Sequence, residues 1–231
     1  MELITNDHHN NQLATYRYSF KERNYFRKVS LSKRGNALIH NEDKGHSFYK
    51  NITGLDYNIN YNYSQYFHKI TFPQFQGRTI QNQFKHILTS GFIDNLMQIY
   101  SNFKLNNNDT IINGDMALTN MVISSNQKIY IFDWEHFHIA ESFYWGFDFI
   151  HLLFLTIQRK KKINNRESSF MRYCVQTLSN LASPNNQIFE KPFVNSKKYM
   201  IENNKKFKLN IPIERKFELA NCPKQILEYY D

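Results

Sequence analysis

The stretch Ile111–Glu135 reads IINGDMALTNMVISSNQKIYIFDWE, and the rest of the chain is interpreted outward from it. It begins with an apolar run, after which Gly114 allows a backbone turn that other residues resist. Two apolar, β-rich segments follow, separated by a polar one: Met121–Ile123, Ser124–Lys128 and Ile129–Phe132. The pattern predicts a strand, a loop that carries Asp115, and a tight β-hairpin with a second carboxylate, Asp133, at its exit.

The hairpin also predicts which polar side chains lie close together. If Ser125–Lys128 form the loop, antiparallel pairing places Asn120 opposite Asp133, with Cβ atoms about 4.5–5.5 Å apart. Mg²⁺ prefers oxygen ligands of this kind and usually takes only one or two from a protein. A carboxylate nearby, such as Asp115, can accept the proton of an attacking hydroxyl. The alternative is an ordinary hairpin in which Asp and Asn only stabilise turns.

Two motifs in this stretch resemble a known family. Asp115–Asn120 (D-x-x-x-x-N), followed by Asp133-Trp134-Glu135, is similar to the catalytic loop and metal-binding segment of the aminoglycoside phosphotransferase and choline kinase superfamily. That superfamily is a branch of the protein-kinase-like fold. The resemblance implies that Asp115 is the catalytic base and that Asn120 and Asp133 hold the Mg²⁺ that bridges ATP phosphates. ATP and Mg²⁺ are therefore the expected cofactors.

The first 78 residues are expected to form a β-rich lobe with one helix. Its strands are predicted from runs of alternating polarity: Thr15–Phe20, Tyr25–Val29, Asp56–Tyr63 and Tyr66–Phe72. Apolar residues at helical spacing predict a helix from about Asn36 to Tyr49. Gly45 lies inside this helix at a cost of about 1 kcal/mol relative to alanine, so a bend or an early end is expected there. Phe72–Arg78 is expected to connect this lobe to the next.

Glu42 lies on the apolar face of the predicted helix, and Lys28 lies on the strand before it. A buried carboxylate needs a cation, because its desolvation without one is costly. In the resembled family a strand lysine pairs with a glutamate on the next helix and contacts the ATP phosphates, which makes Lys28 and Glu42 the expected cofactor-binding residues. The alternative is that both are solvated surface charges.

Residues 79–231 are expected to form a mainly helical lobe that carries the catalytic site. Thr79–Leu88 and Gly91–Phe103 are predicted to form one broken helix or two helices, and further helices are predicted at Phe143–Ile157, Arg166–Leu181 and Lys224–Tyr230. Phe143–Ile157 is shorter than the roughly 20 residues that span a bilayer, so a buried helix is expected. It contains Asp148, which by the resemblance accepts hydrogen bonds from the catalytic loop. From Ser183 onward the prolines predict irregular structure.

The expected fold class is therefore α+β, a protein-kinase-like two-lobe fold. A small antiparallel β lobe forms the N-terminal part, 1–78, and a mainly helical lobe with the catalytic loop and the β-hairpin forms the C-terminal part, 79–231. The resemblance extends over about Tyr16–Leu155, and the specific motifs lie within Gly114–Glu135.

Composition limits the compartment and the partners. The chain has 231 residues, a net charge of +9, 41% hydrophobic residues and 16% aromatic residues, which is enough to build a core. Its start, MELITNDHHNNQ, lacks the features of a secretory signal, and the two cysteines show no pairing pattern, so a cytoplasmic protein is expected. The positive charges are scattered, so no nucleic acid is expected as a partner. Peripheral contact with an anionic membrane on its inner face agrees with the charge.

These features lead to a functional hypothesis and a rival. The hypothesis is a phosphotransferase that moves the γ-phosphate of ATP to a hydroxyl of a small molecule or saccharide, with a cell-envelope sugar or glycolipid favoured. The rival is a catalytically inactive kinase-fold protein that senses nucleotides or acts as a scaffold. Asn113 stands where the family usually has His before Gly-Asp, and no glycine precedes Lys28 to form a Gly-x-Gly loop over the phosphates. Both departures favour the rival, and the presence of Asp115, Asn120 and Asp133 favours the enzyme.

Overall fold

The computed structural model describes residues 2–6, 12–74, 78–79, 91–106, 108–158 and 162–207. The chain divides into two compact units: unit 1 is Met1–Arg78 with Val122–Phe137, and unit 2 is Thr79–Met121 with His138–Asp231. The described residues do not include the predicted helix Lys224–Tyr230. They include only the first residue of the predicted helix Thr79–Leu88, and they leave out residues 75–77 of the connector Phe72–Arg78.

The elements have these bounds in chain order. The strands are β1 Glu2–Asn6, β2 Leu13–Phe20, β3 Arg23–Ser30, β4 Asn60–Tyr63, β5 His68–Pro73, β6 Arg78–Thr79, β7 Asp109–Ile112, β8 Met121–Ile123, β9 Ile129–Ile131 and β10 His138–Glu141. The α-helices are α1 Lys33–Thr53, α2 Phe92–Ser101, α3 Phe147–Gln158, α4 Asn165–Leu181 and α5 Pro192–Phe207. Short 3₁₀ turns lie at Leu118–Asn120, Ser142–Tyr144 and Gln187–Phe189.

The core of unit 1 is a five-stranded antiparallel sheet in the order β1-β2-β3-β5-β4. The register places Lys28 between Thr15 on one side and Ile70 on the other. Directly paired residues point to the same face of a sheet, and Ile70 belongs to a buried cluster with Leu38 and Ile39 of α1. Lys28 therefore lies on the face of the sheet that α1 covers.

The turn between β2 and β3 is tighter than the gap between the predicted strands Thr15–Phe20 and Tyr25–Val29. Phe20 pairs with Arg23, so the loop consists of Lys21 and Glu22, and Asn24 belongs to β3. Both loop residues have positive φ, 47° and 63°. This is the backbone of a type I′ turn, whose twist matches that of the flanking strands. Lys21 and Glu22 adopt it without the Asn-Gly pair that such turns favour.

Helix α1 is longer than predicted and passes through Gly45 without ending. The hydroxyl of Ser32 accepts a hydrogen bond from the N–H of Gly35 at its start, and Gly54 ends it with a φ of 68°. The expected bend or early end at Gly45 is wrong, because the glycine makes room for Trp134: a β-carbon at position 45 would lie 2.6 Å from Cγ of that ring. The predicted stripe is confirmed as the buried face of the helix, and it includes Glu42.

The predicted hairpin forms from β8 and β9, which join β6 in a three-stranded sheet. Its turn differs from the prediction by one residue. The N–H of Ser124 donates to the carbonyl of Lys128 at 3.0 Å, so the loop is Ser125–Gln127 rather than Ser125–Lys128. Gln127 has a φ of 62°, the left-handed residue that closes a three-residue hairpin loop. The four-residue loop placed Asn120 opposite Asp133, and that pairing does not follow from the three-residue loop that the structure has.

Within its described residues, unit 2 contains four α-helices and the antiparallel pair β7–β10, a pairing that the sequence does not predict. Helix α3 confirms the buried helix of the apolar run Phe143–Ile157 but begins at Phe147, because Ser142–Tyr144 form a 3₁₀ turn. The irregular structure expected after Ser183 is wrong for part of that segment. Pro192 occupies the first position of helix α5, where its missing N–H has no helical partner to lose.

The predicted α+β class is confirmed, with the antiparallel sheet in unit 1 and most of the helices in unit 2. Within the described ranges, no helix combines the length and the apolar character needed to cross a membrane.

Candidate functional site

Lys28 lies among three carboxylates in unit 1. Its Nζ is 2.9 Å from Oε2 of Glu42, 2.7 Å from Oδ1 of Asp133 and 3.9 Å from Oε2 of Glu135. Glu42 and Glu135 are buried, and the side chain of Asp133 is 30% exposed. The structure thus brings together three of the five predicted site residues, Lys28, Glu42 and Asp133, and adds a carboxylate that the sequence reasoning missed.

The charges in this cluster shift the pKa values of its members in a consistent way. Burial alone lowers the pKa of Lys28, but the attraction of Asp133, Glu42 and Glu135 outweighs burial and raises the pKa well above its usual value. Burial raises the pKa of Glu42; Lys28 opposes this, and repulsion from the other two carboxylates adds to it. Burial is thus the largest cause of the raised pKa of Glu42, whereas the raised pKa of Lys28 comes from its three carboxylate neighbours acting against burial.

The segment that carries Asp133 is held by the residue after it. The fully buried indole of Trp134 donates from Nε1 to the carbonyl of Ile131 at 2.8 Å and packs against Gly45 of helix α1. Asp133 itself has a φ of 61°, a left-handed conformation that is uncommon for a residue other than glycine. Such conformations persist where the surroundings enforce them and concentrate at functional sites. Trp134 therefore fixes the backbone that presents Asp133 to Lys28.

Glu135 is fixed through its backbone as well as its side chain. Its carbonyl accepts a hydrogen bond from Nδ2 of Asn41, on helix α1 one residue before Glu42, at 3.2 Å. The signal for it in the sequence was its place two residues after Asp133. Sequence reasoning used D-W-E only as a motif and assigned this glutamate no role.

The loop that carries Asp115 lies in unit 2 and is braced by Asp148 of helix α3. The N–H groups of Asn113 and Gly114 donate to Oδ2 and Oδ1 of Asp148 at 2.7 and 2.9 Å. The hydrogen bonds from the loop to Asp148 that the resemblance implied are therefore confirmed. Burial raises the pKa of Asp148 to about 7; the two N–H donors oppose this, and the charge of Asp115 adds to it.

Asn113, which stands where the family usually has histidine, has a structural role of its own. Its side-chain oxygen accepts a hydrogen bond from the N–H of Asp115 at 3.1 Å, the local turn that asparagine forms with the backbone two residues on. Gly114 between them has a φ of 87°, which favours glycine at that position. The asparagine thus shapes the loop through its own side chain, in addition to its backbone bond to Asp148.

Asn120 and His151 contact Asp115 from two sides. Nδ2 of Asn120 donates to the backbone carbonyl of Asp115 at 2.9 Å and lies 3.5 Å from its Oδ2. Nε2 of the fully buried His151 lies 3.6 Å from its Oδ1. Sequence reasoning missed His151, although it follows Asp148 by three residues and therefore shares its face of helix α3.

The predicted site residues divide between the two compact units. Lys28, Glu42 and Asp133 belong to unit 1, and Asp115 and Asn120 belong to unit 2. The pairing of Asn120 with Asp133 on one metal ion stays a prediction.

The donor atoms fit a hard divalent cation. The oxygens of Glu42, Asp133 and Glu135 lie within 4.8 Å of one another, and among the described residues this is the one group of His, Cys, Asp or Glu side chains with spacing suited to a metal ion. All three donor groups are carboxylates. Mg²⁺ prefers such ligands, while the absence of sulfur and imidazole from the set is unlike zinc sites.

Comparison with known proteins identifies the fold of this chain. No family model and no curated protein matches the sequence. Similar solved structures include a choline kinase and a bifunctional kinase-methyltransferase, so the chain has a protein-kinase-like fold, and the resemblance suggested by the motifs is confirmed at that level.

Three of these structures show the extent of the likeness. WaaP in complex with acyl carrier protein is 9% identical, with a TM-score of 0.53 over 89% of this chain and 88% of its own. Choline kinase LicA from Streptococcus pneumoniae is 11% identical, with a TM-score of 0.51 over 99% and 94%. The bifunctional kinase-methyltransferase WbdD is 12% identical, with a TM-score of 0.50 over 93% of this chain and 48% of its own, so the chain spans about half of that structure.

Proposed function

We propose that this chain is an ATP-dependent phosphotransferase that moves the γ-phosphate of ATP to a hydroxyl of a small molecule or saccharide. One observation carries the proposal: Nζ of Lys28 lies 2.9 Å from Glu42 and 2.7 Å from Asp133. A lysine, a helix glutamate and an acidic metal ligand in this order are the parts that kinase-like sites use to hold ATP. They occur here in a chain with a kinase-like fold.

Lys28 and Glu42 form the phosphate-binding part of the proposed site. The ammonium of Lys28 binds an oxygen of the ATP phosphates, and Glu42 holds the lysine side chain in place from helix α1. The burial of Glu42 supports this role, because a buried carboxylate keeps its cation close.

Asp115 is the proposed catalytic base. Its carboxylate accepts the proton of the acceptor hydroxyl as the oxygen attacks the γ-phosphate. Asp148 and Asn113 brace its loop through the backbone, and Asn120 and His151 lie beside its two carboxylate oxygens. Such support from buried groups agrees with a residue that must present one side chain in a fixed position.

Asn120 and Asp133 are the proposed ligands of Mg²⁺, through the side-chain amide oxygen and a carboxylate oxygen. The bound ion neutralises the charge of the phosphates during transfer. The amide nitrogen of Asn120 is already bonded to Asp115, so its side-chain oxygen is the atom for a metal.

The favoured acceptor is a sugar or glycolipid of the cell envelope. The net charge of +9 suits an anionic glycolipid and peripheral contact with an anionic membrane. Aminoglycosides are polycations, and their recognition requires clustered acidic residues, while the chain has 20 acidic residues against 29 basic ones.

An inactive kinase-fold protein that senses nucleotides or acts as a scaffold is the second candidate. The turn Lys21-Glu22, which contains no glycine, favours it. Asn113 no longer does, since its side chain takes part in shaping the Asp115 loop.

Calorimetry of ATP binding with and without Mg²⁺ tests the proposal, with wild type and Asp133→Ala compared. We expect wild type to bind ATP with Mg²⁺ and the variant to lose the dependence on metal. A screen of sugar and glycolipid acceptors follows, with Asp115→Ala as the inactive control. The absence of any nucleotide binding by wild type would overturn the phosphotransferase proposal and leave the kinase resemblance as one of fold alone. Metal-dependent binding without transfer to any acceptor, and without hydrolysis of ATP, would favour the second.

A further inference from the structure

We propose that Lys28 acts as a latch on Asp133: in the nucleotide-free protein its ammonium occupies the carboxylates that a divalent cation would need, so the metal binds only together with a nucleotide. The inference rests on the proposed function for the role of Asp133, and it adds an order of binding that the proposed function does not contain.

The distances place the lysine where a cation would bind. Oxygens of Glu42, Asp133 and Glu135 lie within 4.8 Å of one another. The ammonium of Lys28 is 2.7, 2.9 and 3.9 Å from oxygens of Asp133, Glu42 and Glu135. Mg²⁺ and Mn²⁺ bind carboxylate oxygens at about 2.0–2.2 Å, so a metal on these oxygens would lie within a few ångströms of Nζ. Two cations at such a distance in a largely buried cluster repel strongly.

The backbone prevents Lys28 from leaving the cluster entirely. The lysine lies on a central strand, paired with Thr15 on one side and Ile70 on the other. Its side chain is 14% exposed, and Glu42, the most buried of its partners, holds it from helix α1. Glu42 therefore holds the ammonium close to Asp133, and a further anion nearby would draw it away from that carboxylate. An ATP phosphate supplies such an anion and carries its own Mg²⁺, so the nucleotide both releases the latch and delivers the metal.

Removal of the lysine should leave a carboxylate cluster that binds a metal without a nucleotide. The probe is Mn²⁺ alone, measured by the electron paramagnetic resonance of the free ion, with the full chain and no nucleotide. We expect Lys28→Met to bind Mn²⁺ at least about tenfold more tightly than wild type, because the variant loses the positive charge that competes with the metal for the three carboxylates.

Lys50→Met is the matched control. Lys50 lies on helix α1 in the same unit and pairs with Asp56 at 3.0 Å, but it is solvent-exposed. Its removal changes the net charge of the protein by the same amount without opening the cluster, so its affinity for Mn²⁺ should equal that of wild type. Lys28→Arg keeps a cation in place and should also behave as wild type. Lys28→Met together with Asp133→Asn should lose the gain, because one of the three carboxylates is gone.

Thermal unfolding provides a second measurement that does not require a stable variant. Mn²⁺ alone should leave the Tm of wild type unchanged, while it should raise the Tm of Lys28→Met if that variant folds. The latch is overturned if Mn²⁺ alone raises the Tm of wild type, or if Lys28→Met binds Mn²⁺ no better than Lys50→Met. These outcomes are independent of the proposed function, which fails when wild type binds no nucleotide whether or not the cluster binds Mn²⁺.

Discussion

Gly45 of helix α1 lies against the indole of Trp134 so closely that a β-carbon at position 45 would be 2.6 Å from Cγ of the ring. Trp134 is fully buried and is flanked by the two carboxylates Asp133 and Glu135 that face Lys28. The absence of a side chain at position 45 therefore sets how near the acidic segment can approach the helix that carries Glu42.

Gly45→Ala should destabilise the protein, although alanine is the better helix former. The gain in helix propensity is about 1 kcal/mol, but the methyl group would force the buried indole to move, and we expect a net loss of about 2 kcal/mol. Urea unfolding measures the change. Ser47→Ala, at an exposed position of the same helix, is the control and should change stability by less than about 0.5 kcal/mol. If both substitutions changed the free energy of unfolding equally, the close contact between position 45 and Trp134 would be contradicted.

Asp148→Ala should remove the brace of the Asp115 loop. The N–H groups of Asn113 and Gly114 would remain buried without their acceptor, and we expect a loss of about 3 kcal/mol in the free energy of unfolding. Chemical denaturation measures it. Asp109→Ala, at an exposed position at the start of β7, should have little effect. An Asp148→Ala variant as stable as wild type would mean that the loop holds its shape unaided.

Wild type and Asp148→Ala should differ in the pH dependence of their stability. Burial raises the pKa of Asp148 to about 7 in the folded state, and an unfolded aspartate has a pKa of about 3.9. The folded state thus holds this proton more tightly, so the contribution of Asp148 is complete below about pH 4 and declines as the pH rises to about 7. The stability difference between wild type and Asp148→Ala should therefore be larger at about pH 5 than at about pH 8. A difference that grew with rising pH would show that the two N–H donors outweigh burial.

Glu42→Gln should weaken the binding of MgATP. The neutral amide no longer attracts Lys28, which would be held by Asp133 and Glu135 away from the phosphates, and we expect an affinity about tenfold lower. Calorimetry measures it. Asp43→Asn, the next residue of the helix, alters a carboxylate that bonds to Tyr63 and should bind MgATP as wild type does. The pairing has no role in nucleotide binding if both variants keep the affinity of wild type.

Asn113→Ala should lower the rate of phosphoryl transfer more than the affinity for MgATP. The alanine removes the side-chain acceptor for the N–H of Asp115 but keeps the backbone bond to Asp148. A looser backbone at Asp115, the proposed base, should lower kcat by about tenfold. Steady-state kinetics with the acceptor found in the screen would separate kcat from KM. An unchanged kcat would show that the side chain of Asn113 does not help to position Asp115.

The parts of the site that could be predicted from sequence are those in which a charge lies on an apolar face. Glu42 interrupts the buried stripe of a helix, and Asp148 interrupts an apolar run, so each demanded a nearby partner whatever the details of the fold. Chain order then indicates Lys28, on the preceding strand, as the partner of Glu42, while the family resemblance implies the catalytic loop as the partner of Asp148.

The features that could not be predicted depend on contacts distant in sequence. Helix α1 continues through Gly45 because Trp134 packs against that glycine, and no local sequence pattern connects the two residues. The share of Glu135 in the lysine cluster depends on the turn of the chain after β9. Pro192 predicts a break in regular structure but begins a helix, because proline serves both purposes and only the packing of the following residues distinguishes them.

Unit 1 is assembled from two separate pieces of the chain, since Val122–Phe137 completes the fold begun by Met1–Arg78. During synthesis the first piece leaves the ribosome long before the second, and until then helix α1 has no Trp134 to cover Gly45 and Lys28 has no Asp133. Proteins fold by domains as they emerge, in general from the N-terminus onward. Here the N-terminal unit must wait for residue 137, so fragments that stop earlier should depend on chaperones and be open to proteases.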